Sequence, residues 1–201
     1  METKAESHSQ SSDLTSRARI RNAGLHQFAT SGFAGTPMRA IAAEAGVTIG
    51  LISHHFGSKE GLKEAVESWI VEQFANAIAL ADSQAGGSVA SAASRDESVA
   101  AMTQENPLIV AYLRRDLLEE GGAHALITRL AHLSGESIDS LRDHGKASQD
   151  RNRVEQVVNV MVRQLGKLFL QPLIDQIVLS FPEKEQPEQT PELHVTVTTH
   201  D

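Results

Sequence analysis

From Val154 onward one pattern repeats: apolar side chains at Val154, Val157, Val158, Met161, Leu165, Leu168 and Phe169, resuming beyond Pro172 at Leu173, Ile174, Ile177 and Val178. Steps of three and four gather these residues onto one stripe of an α-helix, because 3.6 residues make a turn. The same spacing recurs in Ala-, Leu-, Glu- and Arg-rich segments up to about Ser180, and strand-like alternation is nearly absent before that point. The chain is therefore expected to fold as an all-α protein.

Local punctuation divides the pattern into helices. The first is expected from Asp13 to about Ser31, burying Ile20, Ala23, Leu25 and Phe28 and stopped by Gly32. Thr36 then reads as an N-cap with Pro37 at the first helical position, opening a short helix that ends at Gly46. A third helix of about two turns starts at Thr48, and after Gly57 Ser58 caps a much longer one carrying Leu62, Val66, Trp69, Ile70, Phe74 and Ile78. Gly86-Gly87-Ser88 separates it from a fifth helix from Val89 to Met102, Asn106-Pro107 opens a sixth, and Gly121-Gly122 precedes a seventh containing Ile127, Leu130, Ala131, Ile138 and Leu141. The organisation expected is a disordered segment 1–12, a helix-turn-helix domain 13–60, a larger helical domain 61–182, to which the resemblance described below assigns ligand binding and dimerisation, and a mobile tail 183–201. In that tail Leu193, Val195 and Val197 alternate, a pattern that could add a strand to an edge.

Composition narrows the function classes. Without cysteine there are no disulfides, thiolate zinc sites or cysteine nucleophiles. The nine histidines show no ligand spacing, and the His54-His55 pair points its rings about 100 degrees apart with no carboxylate to complete a set, so no metal is expected. No phosphate-binding glycine loop, His-Glu-x-x-His motif or serine-nucleophile signature speaks for an enzyme, and no cofactor is called for. No apolar run reaches the roughly 18 residues of a membrane helix and no signal peptide is recognisable, so a cytoplasmic location is expected. The net charge of −8 looks wrong for a nucleic-acid binder, but it is unevenly spread. Between Asp13 and Lys63 six bases face three acids, whereas residues 64–201 hold 11 bases against 21 acids. Only the N-terminal part has the sign that phosphate favours.

Two short helices joined at Ala45-Gly46-Val47 have the length and turn residue of a helix-turn-helix, with Val47 and Ile52 placed to anchor the second helix and its outer face left for a major groove. Around this core stand Ile20, Ala23, Phe28 and Gly32-Phe33, then T-P-M-R-A-I-A-A-E-A-G-V-T-I-G-L-I-S-H-H-F-G-S-K-E-G-L from Thr36 to Leu62. This run resembles the DNA-binding domain of the TetR family of transcriptional regulators throughout, including both glycines, the I-A-x-x-A-G-V core and the S-K-E-x-L that opens the fourth helix. Where that family usually has a tyrosine, this chain has Ser53, whose hydroxyl has a shorter reach towards phosphate.

The resemblance implies a ligand-responsive repressor that binds a palindromic operator in double-stranded DNA as a homodimer. It places Thr36, Thr48, Ser53, His55 and Lys59 near phosphates, Arg39 within reach of base edges, and Ile49, Gly50, Leu51 and His54 on the groove-facing part of the third helix. Ordinary roles compete at the same positions: Thr36 and Ser58 would cap helices in any protein, Arg39 could be solvated, and Ile49 or Leu51 could be core. The resemblance also implies a small-molecule effector in the helical body, for which Trp69, Phe74, Met102, Tyr112, His124 and Met161 are candidate contacts, core packing being the alternative. A dimer interface is implied along Val154, Val157, Val158, Met161, Leu165, Phe169, Leu173 and Ile177, against the alternative of an internal core helix. With four or five phosphates neutralised per subunit, binding would fall with salt at a log-log slope near eight. The rival from another class is a helical ligand-binding or adaptor protein that has lost DNA binding.

Overall fold

The computed structural model describes residues 3–118, 125–195 and 197. They form eight α-helices: α1 Thr3–Gly35, α2 Met38–Ala45, α3 Ile49–Phe56, α4 Lys59–Gln84, α5 Ala92–Glu105, α6 Pro107–Leu118, α7 Ala125–Asp143 and α8 Arg153–Leu179, with one 3-10 turn at Glu183–Glu185. The fold is all-α, with no strand among the described residues. No described helix is long and apolar enough to cross a membrane.

Several boundaries move for local reasons. Helix α1 begins at Thr3 instead of Asp13, since neither glycine nor proline interrupts residues 3–13. Gly32 breaks the helical path as expected, at φ 74° and ψ 164°, but the chain resumes helical pitch as far as Gly35. Pro37, not Thr36, is the N-cap of α2, and Met38 its first residue. The fifth helix begins at Ala92 instead of Val89, and the expected break at Gly121-Gly122 lies outside the described residues. Helix α8 runs unbroken through Pro172, giving up one backbone hydrogen bond there.

The chain divides into two compact units, Met1–Gln73 with Asn106–Ala123, and Phe74–Glu105 with His124–Asp201. The division differs from the expected boundary at 60/61: the first half of α4 and all of α6 belong with α1–α3. In that unit α1 packs on α2, α3 and α6, and Ile20, Phe28, Ile41, Ile52, Leu62, Val66, Ile70, Ile109 and Leu113 form its core. Gly24 lets Leu62 approach α1 closely, since a Cβ there would lie 3.2 Å from the leucine side chain.

In the second unit α7 packs along α8, with Ile138, Leu141 and Val157 buried together. The tail contacts α8. Its described part lies extended against α8: the Gln171 side-chain amide donates to the Pro191 carbonyl at 2.9 Å and accepts from the Leu193 N–H at 2.8 Å, while the Val197 N–H donates to Asn159 Oδ1 at 3.0 Å. Val195 sits over Gly166, where a Cβ would come within 3.0 Å of it. The alternating residues thus seat on a helix carrying side-chain amides and a glycine, not on a sheet edge.

Candidate nucleic-acid interface

The α2–α3 pair is fixed by its turn. Gly46 adopts the left-handed conformation, φ 64° and ψ 41°, and the Val47 N–H donates to the Ala42 carbonyl at 3.0 Å, closing α2. Arg19, reaching across from α1, donates to the carbonyls of Ala45 and Gly46, each at 3.2 Å. It satisfies acceptors that the end of α2 leaves open. Thr48 caps α3 by accepting the Leu51 N–H at 3.3 Å. Ile52 is fully buried and Val47 half-buried, so α3 is held by its inner side.

Its outer side carries Thr48, Ile49, Gly50, Ser53 and His54, all exposed, with Leu51 and His55 half-buried at the margins. Arg39 is exposed near the start of α2. Each of these residues is thus open to solvent or at its margin. Thr36 does not join them. It is 1% exposed, and its hydroxyl donates inward to the carbonyls of Gly32 at 2.7 Å and Gln27 at 3.0 Å. The threonine ties the α1 break to the start of α2, and its side chain cannot meet a phosphate.

Most cation contacts were invisible in the sequence because they span elements; the Lys63–Glu67 pair lies within α4. Lys59, half-buried at the start of α4, lies 4.5 Å from the Phe33 ring centroid, and Arg17 lies 5.2 Å from that of Phe56. Arg21 stacks over Trp69 at 4.6 Å, and burial is the main cause that holds its guanidinium below the ordinary value. Lys63 bridges Glu67 at 3.3 Å and Asp116 at 3.5 Å, and the Tyr112 hydroxyl donates to Glu67 at 3.0 Å. Burial alone would lower the Lys63 pKa, but the two carboxylates outweigh it and the net direction is up. Ser58 caps α4 by accepting the Gly61 N–H at 3.1 Å. Glu60 already uses this helix start: a backbone hydrogen bond, then one with Ser58, holds its carboxyl below the usual range. An incoming phosphate would meet that negative charge beside Lys59.

In the second unit a cavity of about 50 Å³ lies between α4, α5, α7 and α8. Of the effector candidates, Phe74 and Met161 line it. Met102 does not line this cavity, and His124 lies outside the described residues. Trp69 and Tyr112 belong to the other unit, the first under Arg21 and the second bonded to Glu67, so neither forms this wall. Arg95 and Asp96, which the sequence did not single out, are both in it.

The stripe on α8 splits into two faces. Val154, Val158, Leu173 and Ile177 are 63%, 38%, 52% and 51% exposed, and Phe169 is half-buried. Val157 instead packs on Ile138 and Leu141, and Met161 and Leu165 line the cavity, so these three turn towards the unit's own core.

Residues 20–66 match the family model described as bacterial regulatory proteins, tetR family. Over 71 residues, 35% of this chain, the sequence is 49% identical to the HTH-type transcriptional regulatory protein RaaS of Mycobacterium tuberculosis. The chain spans one third of that relative's length. Two solved structures share the fold: Salmonella enterica GusR, with a TM-score of 0.59 and 21% identity over 77% of this chain and 82% of that one, and the TetR family protein CprB of S. coelicolor A3(2), with a TM-score of 0.53 and 23% identity over 85% and 90%.

Proposed function

We propose that the chain, whose residues 20–66 match the model of bacterial regulatory proteins, tetR family, is a member of that family and a DNA-binding transcriptional regulator, a ligand-responsive repressor that occupies a palindromic operator as a homodimer. One observation carries this reading: α3 is clamped by Ile52 and the Arg19-bound turn while Thr48, Ile49, Gly50, Ser53 and His54 remain exposed within the net-positive segment 13–63. Apolar side chains at Ile49 and Leu51 suit thymine methyl groups, Arg39 suits guanine O6 and N7, and Lys59, Ser53 and Thr48 suit phosphate oxygens. The exposed α8 residues Leu173 and Ile177, one turn apart, supply apolar surface for a twofold partner.

The effector reading rests on the cavity in the second unit. At about 50 Å³ it is far smaller than the roughly 300–1,000 Å³ of ordinary ligand pockets. A ligand therefore enters only by moving wall side chains. That gives it the differential affinity for two conformations which release of DNA requires.

A mobility-shift assay with duplex DNA from the region upstream of the protein's own gene tests the proposal. A retarded band that depends on one palindrome supports it. No band on any duplex at low salt favours the second reading, a helical ligand-binding protein without DNA binding. That alternative is kept in view by Ser53 and by an α3 without lysine or arginine.

A further inference from the structure

The wall of the cavity in the second unit specifies the kind of molecule it takes. This inference rests on the effector reading above. Phe74, Val99, Leu130, Met161, Leu165 and Leu168 are among its apolar lining, and Phe74 is the one aromatic side chain among the lining residues. Two charged groups face it, and both are already matched. The Arg95 guanidinium, 4% exposed, holds the Asp82 carboxylate with two hydrogen bonds of 3.1 and 2.9 Å and donates to the Ser137 carbonyl and hydroxyl, each at 2.8 Å. Asp96 accepts from Arg163 and, at 2.9 Å, from Gln164 Nε2. A charged ligand would have to displace Asp82 from the buried Arg95 or compete with Arg163 for the part-exposed Asp96, whereas a neutral one disturbs neither pair.

Ser134 is different. Its hydroxyl donates to Met161 Sδ at 3.2 Å, and a thioether is a weak acceptor that a ligand oxygen readily replaces. Met161 is unbranched and turns aside without backbone movement. The formed space is about 50 Å³, whereas an apolar cavity that accepts benzene measures about 150 Å³. A slim chain fits behind a displaced methionine more easily than a ring.

We propose that the cavity binds a neutral aliphatic molecule with a single oxygen acceptor, its chain displacing Met161 and its oxygen taking the Ser134 hydroxyl proton. Calorimetric melting of the full-length protein without DNA tests this, using 1-hexanol, hexanoate and hexylammonium at equal concentrations. 1-Hexanol should raise Tm by roughly 2 °C or more, and the two ions should not. Ser134→Ala should cut the 1-hexanol shift by at least half. Met161→Trp, which fills the space, should abolish it, and if that variant does not melt cooperatively Ser134→Ala decides alone. Equal shifts from either ion, or an undiminished shift in Ser134→Ala, would overturn the proposal. A 1-hexanol shift in a protein that ignores DNA would sink the regulator reading and leave this one standing.

Discussion

Arg39 and Lys59 are the two cations whose settings assign them different tasks. Arg39 is exposed on α2 with its full fork of donors, whereas Lys59 rests on Phe33 at the start of α4. Arg39→Ala should relax preference at one base pair of each half-site by about 1–3 kcal/mol, read from anisotropy titrations against single-substituted operators. Lys59→Ala should weaken all duplexes alike and lower the salt slope by about two, one per protomer. A different test falls on the buried ion network. Lys63→Met leaves Glu67 and Asp116, 5% and 7% exposed, without their cation, and should cost about 3 kcal/mol in urea melts, the low end of the range for a broken buried pair because 27% of the Lys63 side chain still meets water. Since the folded pKa of Lys63 lies above its unfolded value, this contribution is complete below the ordinary lysine value and lost as pH rises through the folded one. The gap between wild type and variant should therefore narrow only above about pH 10.5. The exposed α3 residues were legible because helical spacing separates them from Ile52. The contacts of Thr36, Arg19 and Lys63 were not, because a sequence gives no sign that a cap-like threonine turns inward or that an arginine reaches a carbonyl 26 residues away.

At the level of elements, α8 shows what periodicity can and cannot decide. The apolar spacing identified the helix and its stripe correctly, but the stripe is wide enough to serve two neighbours. Packing of α7 claims Val157, the cavity claims Met161 and Leu165, and Val158, Leu173 and Ile177 are left outside. Ile177→Glu should yield a folded monomer in sedimentation equilibrium, while Val157→Glu should unfold the unit, because one charge enters water and the other is buried among Ile138 and Leu141. A dimeric Ile177→Glu protein would place the partner elsewhere. The tail illustrates the opposite limit: its alternation was readable, but its seat depends on Gln171, Asn159 and Gly166 occurring together on one helix, a match between distant segments that no local pattern announces.

For the whole molecule, the overall acidity conceals a net-positive segment between Asp13 and Lys63, and the structure reduces how many of its cations remain for DNA. Lys63 is neutralised by two carboxylates, Arg21 is stacked on Trp69, and Arg19 is engaged by the Ala45 and Gly46 carbonyls. Of the cations in that segment Arg17 and Lys59 remain for phosphate and Arg39 for base edges, so a dimer would neutralise about four phosphates through it and the expected slope falls from near eight to about four. The reassignment of α6 to the DNA-binding unit was equally hidden in the sequence, because Asn106-Pro107 marks where a helix starts and not which helices it packs against. The most direct measurement is the salt dependence of binding between the full-length protein and a fluorescent duplex carrying a palindrome from its own upstream region. The account predicts tight binding at low salt and a log-log slope of about −4, with a scrambled duplex bound far more weakly. Absence of binding at low salt, or equal affinity for palindrome and scrambled duplex, would contradict it.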